Sequence, residues 1–221
     1  MLIRCRDGDF LYTDDEVEVM IEDVQCLVGK GWADGIVIGC LEEHGNVHTG
    51  HCKRLITAAK DVSVGRKIDV TFHRAFDMAC CTLPDLVDTI IHIGCSRILT
   101  SGQQNTAIEG IPFIRELIEK FGDRIVIMPG GGLNEGNLGY LLDSCFFEPD
   151  TTNDTKSGKR KYKGIQEFHA SAKTSKESRM KYRNKSLKMG SSSDEYTLTL
   201  TSVEKVRKMV DIFNQFCNLN A

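Results

Sequence analysis

Short apolar runs that alternate with helical patterns constrain the fold of this chain more than any other feature. Six such runs occur, each followed by a stretch with helical periodicity, and they cover residues 2–6, 35–40, 69–75, 97–102, 125–131 and 167–172. This alternation predicts βα units around a parallel sheet. Several runs are continuously apolar, which is typical of strands that are covered on both faces. Two architectures satisfy the pattern: a doubly wound open sheet and a (β/α)8 barrel.

The first and last helices have the clearest signals. Thr13 and Glu16 form the S/T-x-x-E pattern of a capping box and predict the start of the first helix. In the last helix, apolar residues recur at helical spacing and are predicted to face inward: Val203, Val206, Val210, Phe213 and Cys217.

Two segments interrupt the rhythm of strands and helices within what we predict to be a single domain, residues 1–221. Residues 143–163 are polar and lack periodicity, so they are predicted to be a mobile insertion. Residues 173–197 are rich in Lys and Arg and are predicted to form a long basic loop before the last helix. The loop is either simply solvated or a basic lid over an anionic ligand.

Composition excludes some classes of function. The net charge is −3, so no overall basic field predicts binding to nucleic acid or to a membrane surface. No apolar run approaches the roughly 20 residues that span a bilayer. The N-terminal sequence has no apolar signal region, which predicts an intracellular protein. Its nine cysteines are then expected to be reduced, and no CxxC pair has zinc-site spacing.

Polar side chains follow nearly every predicted strand. Ligands of parallel α/β folds bind beyond the carboxyl ends of the strands, so these side chains are predicted to line one mouth. His73 and His169 are candidate general acids or bases near neutral pH. Asp9 or Asp77 is a candidate to orient a histidine or to hold a metal. The candidates to bind an anion at this mouth are Arg4, Arg6, Arg74 and Ser101.

The sequence MPGGGLNEGN is the most specific local signal. Gly130, Gly131 and Gly132 follow the fifth run and allow backbone N–H groups to approach a ligand closely. A site for an anion at this loop is one interpretation, and a tight turn that needs positive φ is the other. GxGxxG and the phosphate-binding loop with Lys and Ser/Thr are both absent, so no nucleotide-binding motif is present.

Four cysteines are candidate ligands for a soft metal. Cys40 and Cys52 bound a loop that also contains three histidines and two glutamates, and Cys80 and Cys81 are adjacent in the chain. Thiolate and imidazole ligands suit copper or zinc. The alternative is that the first pair bounds an ordinary polar loop and that the second pair is adjacent by chance.

Six motifs occur in order and together resemble the CutC copper homeostasis family, especially its eukaryotic members. They read IRCRDGDFLY, WADGIVIG, VTFHRAFD, RILTSG, IVIMPGGGLN and EFHASA. The resemblance implies a (β/α)8 TIM-type barrel, a cytoplasmic or nuclear location, and the handling of copper as Cu(I). Family members begin about two βα units earlier, so we expect an N-terminally incomplete barrel with six βα units. Its open edges favour assembly into a homo-oligomer.

Three functions therefore compete. The first is a copper homeostasis protein that binds Cu(I) in the cytosol. The second is an enzyme that acts on a small phosphorylated or carboxylated metabolite at the barrel mouth, for which the resemblance supplies no established activity. The third is a non-catalytic barrel that acts through protein partners.

Overall fold

A four-stranded parallel sheet organises the protein. The computed structural model describes residues 1–146, 164–184, 186–187 and 194–219. The strands of this sheet lie in the order β1-β2-β3-β4, and all three pairings are parallel. They are β1 (Gly35–Ile38), β2 (Asp69–Phe72), β3 (Arg97–Thr100) and β4 (Val126–Pro129). The predicted α/β fold with a parallel sheet is thereby confirmed.

The first and sixth apolar runs add only single bridges to the two edges of this sheet. Leu2 bridges Val37 of β1, and His169 bridges Gly130 just after β4, both in parallel. Of the six predicted parallel strands, four therefore form the sheet, and the described residues do not close into a barrel. Beyond the bridge at Leu2, the side chains of Arg4 and Arg6 hydrogen-bond to backbone carbonyls of the loop that follows the first run.

Helices connect successive strands. They are α1 (Asp14–Gly29), α2 (Thr49–Val62), α3 (Ala75–Met78), α4 (Asp85–His92), α5 (Ile111–Phe121), α6 (Leu138–Ser144) and α7 (Val203–Leu219). The predicted capping box is confirmed at α1, where Thr13 Oγ1 accepts from Glu16 N–H and the Glu16 carboxylate accepts from Thr13 N–H at 2.8 Å. No helix in the described segments is long and apolar enough to cross a bilayer.

The core lies between the sheet and these helices. The last three residues of both β2 and β3 are buried in succession, as expected for strands that are covered on both faces. Phe72 and Ile98 on the strands and Leu55 and Ile114 on the helices are fully enclosed. This packing fixes the ends of the strands, from which the polar loops emerge.

One prediction for the C-terminal part differs from the structure. Residues 173–197 were predicted as one long loop, but they begin in β5 (Lys173–Glu177), which pairs in antiparallel fashion with β6 (Thr197–Thr201). The side chains of this hairpin are exposed. Of the predicted insertion at 143–163, residues 147–163 lie outside the described residues.

The inward face of the last helix was predicted correctly only for Phe213 and Cys217, which are partly buried. Val203, Val206 and Val210 are exposed, and α7 instead buries Met209 and Phe216. The apolar stripe of a helix shows which residues can be buried, but the neighbouring elements decide which of them are. Among the described residues, nothing covers the valines enough to bury them.

Replacing Gly110 by Ala should destabilise the loop that follows β3. An added Cβ would fall on the carbonyl oxygen of Ser101 and 2.8 Å from Gly102 Cα, and backbone atoms cannot rotate away. We expect the free energy of unfolding to drop by about 2–3 kcal/mol in denaturant titrations. Gly29→Ala is the control, since its Cβ would meet only Val62 at 3.6 Å. Equal unfolding midpoints for the two variants would contradict the assigned contact.

Candidate functional site

A buried carboxylate holds together two of the loops at the strand ends. Asp77 lies on α3, just after β2, and only 5% of its side chain is exposed. It accepts hydrogen bonds from Arg74 Nε at 2.7 Å, from Ser101 N–H at 3.0 Å and from Gln103 N–H at 3.1 Å. The hydroxyl of Thr100 donates to it as well. These donors belong to the ends of β2 and β3, so Asp77 fixes one loop against the other.

Arg74 is oriented by the same network. Its Nε donates to Asp77, and its Nη2 lies within hydrogen-bonding distance of Ser101 Oγ and of the carbonyl oxygen of Gln104. Nη1 has no acceptor among the described residues, and 42% of the side chain is exposed. The protein therefore presents a fixed cation whose remaining N–H groups face outward from the network.

The glycine loop after β4 packs against this arginine. A Cβ added at Gly131 would lie 3.5 Å from Arg74 Nη1, so a larger residue would crowd the guanidinium. Gly131 and Gly132 have φ values of 110° and 75°, which favour glycine. Their carbonyl oxygens accept from Ala107 N–H at 2.9 Å and from Asn137 Nδ2 at 3.0 Å. Their own N–H groups have no acceptor in the part of the chain that the structure describes.

His73 lies behind this site and is 5% exposed. Its Nδ1 accepts from Ala75 N–H at 3.0 Å, so the neutral ring carries its proton on Nε2, for which the described residues offer no partner. Burial, together with the nearby charge of Arg4, lowers the pKa of His73 to about 4. The imidazole is therefore neutral at pH 7. Its predicted role as a general acid or base stays a prediction.

Arg6 and Asp9 are occupied by each other and by α1. Arg6 Nη2 lies 2.9 Å from Asp9 Oδ1, and Arg6 Nε contacts the carboxylate of Glu16. These hydrogen bonds lower the pKa of both carboxyl groups. Arg4 donates to Gly8 O at 3.0 Å and stacks on Phe10. The ligand-binding roles that the sequence predicts for these arginines remain untested.

His169 stands apart from His73. Its backbone N–H donates to Pro129 O at 2.8 Å, and its side chain is exposed at the β4 edge beside Gly130. Within the described residues, no hydrogen bond or ring contact joins its imidazole to His73, Arg74 or Asp77.

A cavity of about 500 Å³ opens between the loops that follow the first run, β1 and β2. It places Asp9 and Asp77 in one lining, as the sequence predicted for a shared mouth, and Arg74 lies between this cavity and the glycine loop. The lining residues are Gly8, Asp9, Phe10, Leu11, Leu41, Glu42, Glu43, Gly45, Arg74, Asp77 and Met78.

The four candidate cysteine ligands form two pairs. Cys40 and Cys52 are fully buried and contact one another, and this contact together with burial raises the pKa of Cys40. The sulfurs of Cys80 and Cys81 lie 3.5 and 3.0 Å from one atom, Asn46 Oδ1. In the described segments, no three His, Cys, Asp or Glu side chains converge on a point where they could share a metal ion.

The second pair belongs to the rim of the cavity. Cys80 N–H donates to the carbonyl oxygen of Gly45, which lines the cavity. Cys80 is exposed and Cys81 is partly exposed. Burial and the neighbouring thiol of Cys80 raise the pKa of Cys81, so the Cys81 thiol is protonated at neutral pH.

Three residues of this region escaped the sequence analysis. Asn46 accepts from both exposed thiols, Phe10 covers the His73 ring at 4.8 Å, and Met78 lines the cavity. Met78 had a usable signal, because its thioether lies two residues before a cysteine pair and soft metals bind sulfur. Asn46 had none, since its partners are more than thirty residues away in the chain.

The fold and the site together define an α/β protein with a cavity at the carboxyl ends of its parallel strands. The model of the CutC family matches residues 1–148. The copper homeostasis protein cutC homolog of Mus musculus is 41% identical over 211 residues, which cover 95% of this chain and 68% of the mouse protein. The human homolog is 40% identical over the same shares. The chain belongs to the CutC family.

A solved structure agrees with this assignment. CutC from Streptococcus agalactiae superposes with a TM-score of 0.57 at 32% sequence identity, over 65% of this chain and 67% of the bacterial one. A CutC protein from Parabacteroides distasonis is 41% identical over 95% of this chain and 76% of its own length.

Replacing His73 by Asn should change the pH dependence of stability. The folded pKa of about 4 lies below the ordinary value of 6.5, so the unfolded chain binds a proton at a higher pH than the folded one. The free energy of unfolding should fall as the pH drops from 6.5 to about 4, by up to about 3 kcal/mol. H73N keeps an acceptor for Ala75 N–H and should lose most of this slope in denaturant titrations across that range.

His48→Asn is the matched control, because Nδ1 of His48 also accepts a backbone N–H, that of His51, at 3.1 Å. H48N should retain most of the slope, since His48 acts on the pKa of His51 and not on that of His73. An unchanged slope in H73N would show that His73 is not the group that titrates.

Proposed function

We propose that this protein takes part in copper homeostasis by binding Cu(I) through the thiols of Cys80 and Cys81. The observation that carries the role is the similarity to mouse and human relatives that are named copper homeostasis proteins, at about 40% identity over 95% of this chain. Copper is the cargo in this proposal. The enzyme that the sequence analysis offers as an alternative stays a prediction.

The chemistry of the exposed pair supports the choice of site. Cu(I) is a soft ion that favours thiolate and thioether ligands. Both sulfurs lie within 3.5 Å of Asn46 Oδ1, so the asparagine holds them on the same side of the chain before metal arrives. Cu(I) then displaces the thiol protons, and its apparent affinity rises with pH because the thiol pKa of Cys81 is raised.

The two cysteine pairs differ in how accessible they are to solvent. Neither Cys40 nor Cys52 has any surface exposed to solvent, so copper would have to enter a packed core to reach them. Cys80 is open to a copper donor and lies beside a cavity of about 500 Å³. We therefore assign transferable copper to the exposed pair and an apolar packing role to the buried one.

The sheet is compatible with an arc of a (β/α)8 barrel, and we propose that architecture. The single parallel bridges at Leu2 and His169 continue the strand order on both sides of the four-stranded sheet. The cytoplasmic or nuclear location and the homo-oligomer remain proposals of the same kind.

Replacing either Cys80 or Cys81 by Ser should weaken Cu(I) binding. The loss of one of two sulfur ligands should raise the dissociation constant roughly 100-fold or more in a competition titration against a calibrated Cu(I) chelator, on reduced protein. Cys26→Ser is the control, since Cys26 is an exposed thiol on α1. It should leave the affinity unchanged.

Two outcomes would contradict the proposal. Loss of binding in Cys40→Ser but not in Cys80→Ser would move the site to the buried pair. Weak binding of several equivalents, with equal effects of all three exposed-cysteine substitutions, would make the thiols incidental to copper.

A further inference from the structure

We propose that Arg74 and the backbone N–H groups of Gly131 and Gly132 form a binding site for a phosphate group, distinct from the thiol pair. The site lies where the loops after β2 and β4 meet. Its ligand is inorganic phosphate or the phosphate of a small monoester. This inference does not depend on copper binding.

The donors come from two loops that meet where Gly131 packs against Arg74. Arg74 Nη1 is unpaired within the described residues and would lie 3.5 Å from a Cβ at Gly131. The carbonyl oxygens of Gly131 and Gly132 are taken by Ala107 and Asn137, which fixes the peptide planes of the loop. The N–H groups are left free in the described structure. Consecutive free N–H groups at positive φ form the concave backbone arrangement that binds anions.

The cation is held in place before any ligand binds. Asp77 and Ser101 hold Nε and Nη2 of Arg74, so binding does not have to immobilise a flexible arginine. Asp77 also accepts from Thr100 and Gln103, so its carboxylate is shared with donors other than Arg74. A guanidinium with free N–H groups next to backbone donors is a typical arrangement for phosphate.

The number of donors, on two separate loops, favours phosphate over carboxylate. Donors on two loops must reach different oxygens of one group, and a phosphate offers three where a carboxylate offers two. Glu42 and Glu43 line the neighbouring cavity without an ion-pair partner among the described residues. Their charge disfavours a long polyphosphate and limits the ligand to a compact anion.

The test is an NMR titration of the intact chain, labelled with nitrogen-15, with inorganic phosphate at constant ionic strength. We expect saturable shifts of the Gly131 and Gly132 amides and of the Arg74 side chain that share one dissociation constant. Methyl phosphate should act in the same way, and acetate at the same concentrations should bind at least about tenfold more weakly. The lower of the two dissociation constants, for inorganic phosphate or for methyl phosphate, shows which form of the phosphate group the site binds more tightly.

Arg74→Gln should weaken phosphate binding about tenfold or more, because it removes a charge-assisted donor. Arg124→Gln is the matched control, since Arg124 is a half-exposed arginine paired with Asp88. If Arg74→Gln does not fold, Arg74→Lys keeps the charge without the fork and should weaken binding several-fold. Glycine amides that do not shift, equal binding of acetate, or unchanged affinity in a folded Arg74 variant would each overturn the proposal.

Discussion

Asp77 places a carboxylate charge where only 5% of its side chain reaches solvent. A buried charge costs several kcal/mol unless donors surround it, and here four residues supply them. The donors come from the end of β2 and from the loop after β3, so one side chain closes two loops against each other. The orientation of Arg74, and with it the phosphate site, depends on this contact.

The surrounding backbone is shaped to let these side chains approach. A Cβ at Gly39, just after β1, would collide with Ala75 at 2.9 Å and with the ring of His73. The His73 ring therefore packs against the backbone at Gly39, and the Phe10 ring lies tilted beside it with 4.8 Å between centroids. This packing explains both the depressed pKa of His73 and its enclosure behind the mouth. The polar side chains that remain exposed, above all Arg74 and the two thiols, are the ones that a ligand can reach.

Local patterns in the sequence predicted the elements well. The capping box at Thr13 fixed the start of α1, and the continuous apolar runs predicted parallel strands buried on both faces. Parallel strands place their carboxyl ends at one edge of a sheet, and this rule predicted that the loops after the strands lie close together. The structure shows such contacts among Arg74, Asp77, Ser101 and Gly131. These inferences succeed because they depend on short-range periodicity and on a general property of parallel sheets.

Features that depend on distant partners could not be predicted. No pattern shows that Asp9 is taken by Arg6, or that Asn46 lies between two thiols. The prediction that Val206 on α7 faces inward fails for the same reason, since helical periodicity does not show which neighbouring element covers a face. The cysteines divide into a buried pair and an exposed pair only through the fold. The sequence therefore showed which chemical group each residue carries, but it did not show whether that group is exposed or already bonded to a partner.

The most direct test of the role of Asp77 is amide hydrogen exchange in Asp77→Ala, with Asp23→Ala, an exposed carboxylate on α1, as the control. Loss of the buried acceptor should lower the free energy of unfolding by about 3 kcal/mol, because several donors lose their partner. Exchange at Ser101 and Gln103 should also accelerate far more than at Ile38 in β1. If exchange at these amides rose only in step with Ile38, or if both variants were equally stable, Asp77 would not be what holds the loops together.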